Sequence, residues 1–183
     1  GKSVLLYDKF DVWQVPLDGG SAVNLTNGVG RAQGIQFRVV RLDAPAGGGG
    51  RGGGGAGAGD DDGIDLGQPV MLSAYGDRTK KSGYWTVRAG QAPTPIVWAD
   101  KNIGGVLKAD SADRVLFTQQ DFAEFPDYWV SNSAFASPKK ISDANPILAE
   151  YAWASKKVLI DYTTSQGCLL YTSPSPRDRT RYR

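Results

Sequence analysis

The chain has 183 residues, 40% hydrophobic and 22% charged, with 24 Gly, 10 Pro, 5 Trp, 1 Cys and no His. That is enough apolar chain for one ordinary core, and no apolar run reaches the roughly 18 residues of a membrane-spanning helix. Without histidine the chain cannot itself supply a Ser-His-Asp triad, a Cys-His pair or a histidine-ligated zinc.

The formal net charge of +2 sits in the tail. Residues 168–183 carry four Arg against one Asp, which leaves 1–167 close to neutral at −1. A neutral body has no electrostatic footprint for nucleic acid or an anionic membrane. Cys168 lies outside that body, so no disulfide framework or thiolate metal site is expected, and no cofactor.

In chain order, the predicted elements are short, β-rich and divided by turn residues. Segments 4–7, 12–15 and 22–26 form a first set, with Asp18-Gly19-Gly20 as a hairpin turn. Segments 35–42, 70–75, 84–88 and 95–98 form a second, and 106–109, 114–119, 128–131 and 139–142 a third. Several alternate with a period of two, as in Ile35-Gln36-Phe37-Arg38-Val39, and none keeps helical spacing over ten or more residues. Within 44–68, glycine fills 47–50 and 52–55 and Asp60-Asp61-Asp62 follows. Such a stretch cannot bury apolar area and is expected to be a mobile surface insertion.

A repeat runs through these sets. Trp85 and Trp129 are 44 residues apart, as are Leu72 and Leu116, and Val97 and Ile141. An earlier copy surrounds Trp13. In all three copies an aliphatic residue follows the tryptophan by 12 positions (Leu25, Val97, Ile141), and a turn cluster comes next. The interval from Trp13 to Trp85 exceeds one period by 28 residues, which the Gly/Asp-rich insertion accounts for. Four strands per ~44 residues predict an all-β chain, a partial β-propeller of three to four four-stranded antiparallel blades. A fourth unit starts at 157–162, one period after 114–119, but position 173, where its tryptophan would fall, is Ser173. Register-bound Trp13, Trp85 and Trp129 are expected to pack between blades rather than to form a ligand platform.

The run 5–15, Leu-Leu-Tyr-Asp-Lys-Phe-Asp-Val-Trp-Gln-Val, resembles a propeller blade of the prolyl oligopeptidase family of serine peptidases. Residues 24–28 and 121–131 do so as well, and 162–167 is similar to the strand and turn by which that family leaves its propeller. The resemblance covers about 3–167, and TolB-type propellers share part of the style. It implies a C-terminal α/β-hydrolase domain as partner, a peptide substrate gated by the propeller, and an exported bacterial protein, periplasmic or secreted. The catalytic serine, aspartate and histidine would lie in that hydrolase domain, so no catalytic residue is assigned to this chain. Residues 168–178 resemble a translated sequencing adapter. The domain plan is thus a partial propeller over 1–167 and a non-native or disordered tail over 168–183, with the chain stopping where the hydrolase would begin.

Other candidate chemistry has simpler readings. The glycine run ends in aspartates rather than Gly-Lys-Ser/Thr, so it is no phosphate loop. Asp60, Asp61, Asp62 and Asp65 lack a structured loop to hold calcium. No G-x-S-x-G occurs. Glu124 and Glu150 are the only glutamates, too far apart in sequence to argue an acid/base pair, and Glu124 reads as a loop residue. Asn24-Leu25-Thr26 fits a glycosylation sequon but doubles as a strand end.

Overall fold

The computed structural model describes residues 2–42 and 63–152, with 162–163, 165 and 169–170 beyond them. Contacts divide the chain into two units, Gly1–Trp153 and Ala154–Arg183.

The first unit is all-β with almost no helix. Its strands are β1 (Ser3–Tyr7), β2 (Val12–Pro16), β3 (Val23–Asn24), β4 (Ile35–Val39), β5 (Val70–Gly76), β6 (Ser82–Val87), β7 (Thr94–Ala99), β8 (Asn102–Lys108), β9 (Val115–Gln120), β10 (Asp127–Ser131) and β11 (Lys139–Lys140). Each pairs antiparallel with its chain neighbour, giving three consecutive meanders: sheet 1 (β1-β2-β3), sheet 2 (β4-β5-β6-β7) and sheet 3 (β8-β9-β10-β11). These are the three sets that residue alternation and turn chemistry predict. Among the described residues no sheet closes into a barrel. In the second unit β12 (Tyr162–Thr163) pairs with β13 (Leu169–Leu170). Residues 157–161 of the expected fourth-unit strand at 157–162, most of the expected tail, and residues 44–62 of the expected insertion at 44–68 lie outside the described residues.

Registers explain the tryptophan spacing but not the Leu72/Leu116 spacing. Leu6 lies opposite Trp13 and Leu72 opposite Trp85, whereas Phe117 takes that place opposite Trp129 and Leu116 lies opposite Val130, on the other face, because the β9–β10 connection is one residue shorter. On the other side, the residue before each tryptophan meets the residue 12 after it. The Leu25 amide donates to the Val12 carbonyl, Tyr84 pairs with Val97, and the Ile141 amide donates to the Tyr128 carbonyl. The 12-residue offset is thus the span of one hairpin.

Because side chains alternate across a strand, each sheet shows its tryptophan to one side and the preceding residue to the other. Val12 and Leu25 of sheet 1 share a core with Ile35, Phe37, Leu72 and Trp85 of sheet 2. Tyr84, on the opposite face of sheet 2, joins Ile103, Val115 and Phe117 of sheet 3, with Val97 and Trp129 packed alongside. Sheet 2 is therefore covered on both faces, which is why β5 buries Val70, Leu72 and Ala74 while Met71 packs into the opposite core. Rings lock these layers: Phe37 meets Trp85 edge-on at 5.3 Å, and Phe135 packs against Tyr84 at 5.4 Å and Phe117 at 5.1 Å.

Several details differ from the sequence expectation. A five-residue helix, α1 (Val29–Gln33), follows the Asn27-Gly28 turn, and a 3-10 helix spans Pro146–Glu150. Strand β8 begins at Asn102, within what reads as a turn cluster, because its register shifts between Gly104 and Leu107 and lets Gly104-Gly105 stay in the strand. Within the described end of the long β4–β5 connection, Asp65 closes a turn on the Gly67 amide at 2.9 Å and Leu66 packs against the first core.

Candidate functional site

The six repeat anchors fall at equivalent places. Trp13, Trp85 and Trp129 stand on β2, β6 and β10, and Val97 stands on β7, while Leu25 and Ile141 immediately follow β3 and β11. Their environments are graded by position. Trp85 and Leu25 are buried, Val97 and Trp129 are half-buried in the second core, Trp13 is half-buried on the outer side of sheet 1, and Ile141 is exposed. The Trp13 indole donates to Asp8 Oδ2 at 3.2 Å, whereas the Trp85 Nε1 is buried with no partner among the described residues.

A second recurring element is polar. Asp11, two residues before Trp13, is buried and accepts from the Thr26 hydroxyl at 2.7 Å, the Gly30 amide at 2.9 Å and the Arg31 amide at 3.1 Å. Thr26 Oγ1 in turn accepts from the Val12 amide at 3.2 Å. Asp127, two before Trp129, repeats this geometry: the Ser142 hydroxyl donates at 2.6 Å, the Ala144 amide at 2.9 Å and Lys140 Nζ at 2.7 Å, while Ser142 Oγ accepts from the Tyr128 amide at 2.8 Å. Each clasp ties the start of the tryptophan-bearing strand (β2, β10) to the residues just after the last strand of its sheet (β3, β11). The spacing is a carboxylate two before the tryptophan and a hydroxyl 13 after it, a signal visible in the sequence. The middle copy hides it by placing Gly83 and Trp98 at those positions.

Gly83 has its own reason. A Cβ there would collide with the Val97 carbonyl and crowd the Trp98 backbone, because β7 passes directly over it. Gly30 is similarly enclosed, with the Asp11 carboxylate at 2.7 Å and the Phe10 and Ile35 carbonyls at 2.8 Å from a built Cβ.

Asp8 and Asp127 are held ionised as acceptors. Donation from the Asp11 amide, with further donation from the Phe10 amide, Trp13 and Arg31, holds the Asp8 carboxyl down to about 2. The hydrogen-bonded Lys140 ammonium, then Ser142 and the Ala144 amide, hold Asp127 down to about 2. Burial pushes the Tyr84 phenol up to about 12. None of these groups titrates near neutral pH, so their chemistry is to fix backbone. The sequon is engaged in the same way: Thr26 is fully buried, and Asn24 Oδ1 accepts from its amide at 2.9 Å.

An accessible concavity lies elsewhere. The β9–β10 loop and the segment around the 3-10 helix enclose an open groove of about 410 Å³, lined by Phe122, Phe125, Pro126, Ile147 and Tyr151 with Asp121 and Glu124 on its polar wall. Asp121 Oδ1 accepts from the Ala123 and Glu124 amides at 2.7 and 2.8 Å, which sets the loop's shape. Lys101 reaches Glu124 at 2.5 Å and Asp121 at 3.8 Å and offsets their charge. Glu124 is thus a loop residue on the groove wall, and Glu150 ends the 3-10 helix. The groove offers an apolar seat with acidic acceptors at its edge. Sequence reading missed it because one wall, Asn145, Ile147 and Tyr151, comes from the unpredicted 3-10 segment and its flanks. Among the described residues no three His, Cys, Asp or Glu side chains gather as metal ligands, and no helix is long and apolar enough to cross a membrane.

No family model, curated protein or solved structure matches the chain.

Proposed function

We propose that the chain is a run of β-propeller blades from a prolyl oligopeptidase-like serine peptidase, serving as the non-catalytic part that limits which peptides reach a C-terminal α/β-hydrolase domain. The observation that carries this reading is the stack itself. Three antiparallel meanders follow one another in sequence order, each facing the next with the same two registers, and this is how propeller blades bury faces that a lone sheet would leave wet. The resemblance of 5–15 and 121–131 to blades of that family supplies the peptidase. In this role the blades donate no reacting group. They present a rim to incoming peptide, and the groove beside Phe122 and Phe125 is a suitable contact for an extended apolar segment.

The deciding experiment is to read the coding sequence downstream of Gly167 and express the whole product. A hydrolase domain with G-x-S-x-G and a late histidine, labelled by a fluorophosphonate and cleaving short prolyl peptides, is the expected result. Further β repeats with no such domain would overturn it. They would favour a second reading, a TolB-like propeller that docks a partner protein, to which the exposed Phe122, Phe125, Ile147 and Tyr151 are the specific pointer.

A further inference from the structure

We infer that the two outer faces of the sheet stack are complementary, and that copies of this chain associate head to tail by seating the outer face of sheet 3 on the outer face of sheet 1. Val4, Leu6, Trp13 and Val15 share the outer face of sheet 1, as their pairings (Val4 with Val15, Leu6 with Trp13) require. Sheet 2 carries the same four residue types in the same register: Val70 opposite Val87 and Leu72 opposite Trp85. In sheet 2 that face is the core under sheet 1, and Leu72 is 0% exposed; in sheet 1 it is open, and Leu6 is 53% exposed. A face built from identical side chains in identical pairing takes the same kind of cover.

That cover is defined by the two interfaces already inside the chain. It is the face holding the residue before each tryptophan and the aliphatic 12 after it, Val12 with Leu25 over sheet 2 and Tyr84 with Val97 over sheet 3. The third example of that face is the outer side of sheet 3. There Tyr128 is 51% and Ile141 54% exposed, against 5% for Tyr84, and Leu107 extends the apolar area. Each copy therefore carries one face of either kind, so a second copy of the chain is the occupant. The contact is heterologous, so it propagates beyond a dimer into open rows or a closed ring. It depends on the two faces alone, and in a longer product with further blades those blades would take the two places that a second copy takes here, so the test uses this chain by itself.

The test uses the full chain in sedimentation velocity and light scattering from about 1 to 100 µM, the range in which modest interfaces assemble. Mass rising past that of a dimer is expected. Leu6→Lys and Tyr128→Lys, which put an ammonium on one face each, should separately weaken assembly about tenfold or more, since burying an unpaired charge is costly. Mixed together they should form a one-to-one pair that grows no further, because each retains the face the other lost. Val4→Lys and Ile141→Asp serve as second variants, and circular dichroism melts confirm that each protein folds. A wild-type chain that stays monomeric, a single variant that assembles like the wild type, or a mixture that fails to pair would each overturn the inference.

Discussion

Thr26 shows how much one hydroxyl organises. It donates to Asp11 and accepts from Val12 while wholly shielded from water. Thr26→Val keeps the shape but takes the acceptor from the buried Val12 amide and one of two donors from Asp11 Oδ1, which keeps only the Gly30 amide, so chemical denaturation should show a loss of about 2 kcal/mol. Ser142→Ala, in the more exposed clasp of sheet 3, should cost less. The charged members set the acid limb. Asp8 and Asp127 hold protons more weakly folded than unfolded, where a carboxyl sits near 3.8. Their stabilisation is complete above about pH 5 and is lost as pH falls through 4 toward 2. Calorimetry should show the melting temperature dropping across that window, less steeply for Asp127→Asn. Lys140, whose ammonium is held above its ordinary range by Asp127, adds stability that is present below about pH 10.5 and lost above it.

At the scale of the strand and sheet, a recurring residue is worth what covers it. Trp85, buried against sheet 1 and edge-on to Phe37 and Trp98, should cost about 4 kcal/mol when truncated to alanine. Trp13, same register but outermost, should cost about 1 kcal/mol in dilute solution, mainly through the Asp8 hydrogen bond. A reversed order would mean that the sheets do not stack as described. Gly83→Ala should destabilise by about 3 kcal/mol or prevent folding, because the clash is with backbone that cannot swing aside.

Legibility followed the same division. Period-two alternation and the tryptophan spacing revealed all three sheets, since both arise within one hairpin. The covered faces of sheet 2 were readable from the apolar run Val70-Met71-Leu72. The Asp11–Thr26 clasp was not read, although its spacing recurs at Asp127 and Ser142, for its partners are 15 residues apart and the middle copy substitutes Gly83 and Trp98. Nor was α1, whose five residues are too few for a helical period and whose first amides lean on Asp11.

For the whole molecule, stability is the sum of each sheet and its contacts with neighbours, so the stack can be lengthened or shortened by units. The end sheets each have one covered face, and those are the sheets that carry a clasp; sheet 2, packed on both sides, does without. On the proposed peptidase role, Phe122→Ala with Phe125→Ala in the longer product should raise KM for long peptides and leave kcat for a short chromogenic substrate unchanged, as expected for a rim contact remote from the chemistry.

Strands β4 and β5 pair from Ile35–Gly76 through Val39–Leu72 although 30 residues separate Val39 from Val70. Their alignment owes nothing to a tight turn. Cutting that connection to about ten residues should add roughly 1 kcal/mol, by the logarithmic cost of loop closure. The same indifference makes this hairpin a docking port for foreign cargo. An epitope, a fluorophore-bearing peptide or an entire small protein could be spliced between those strands, and the host would report on its passenger without surrendering its own architecture.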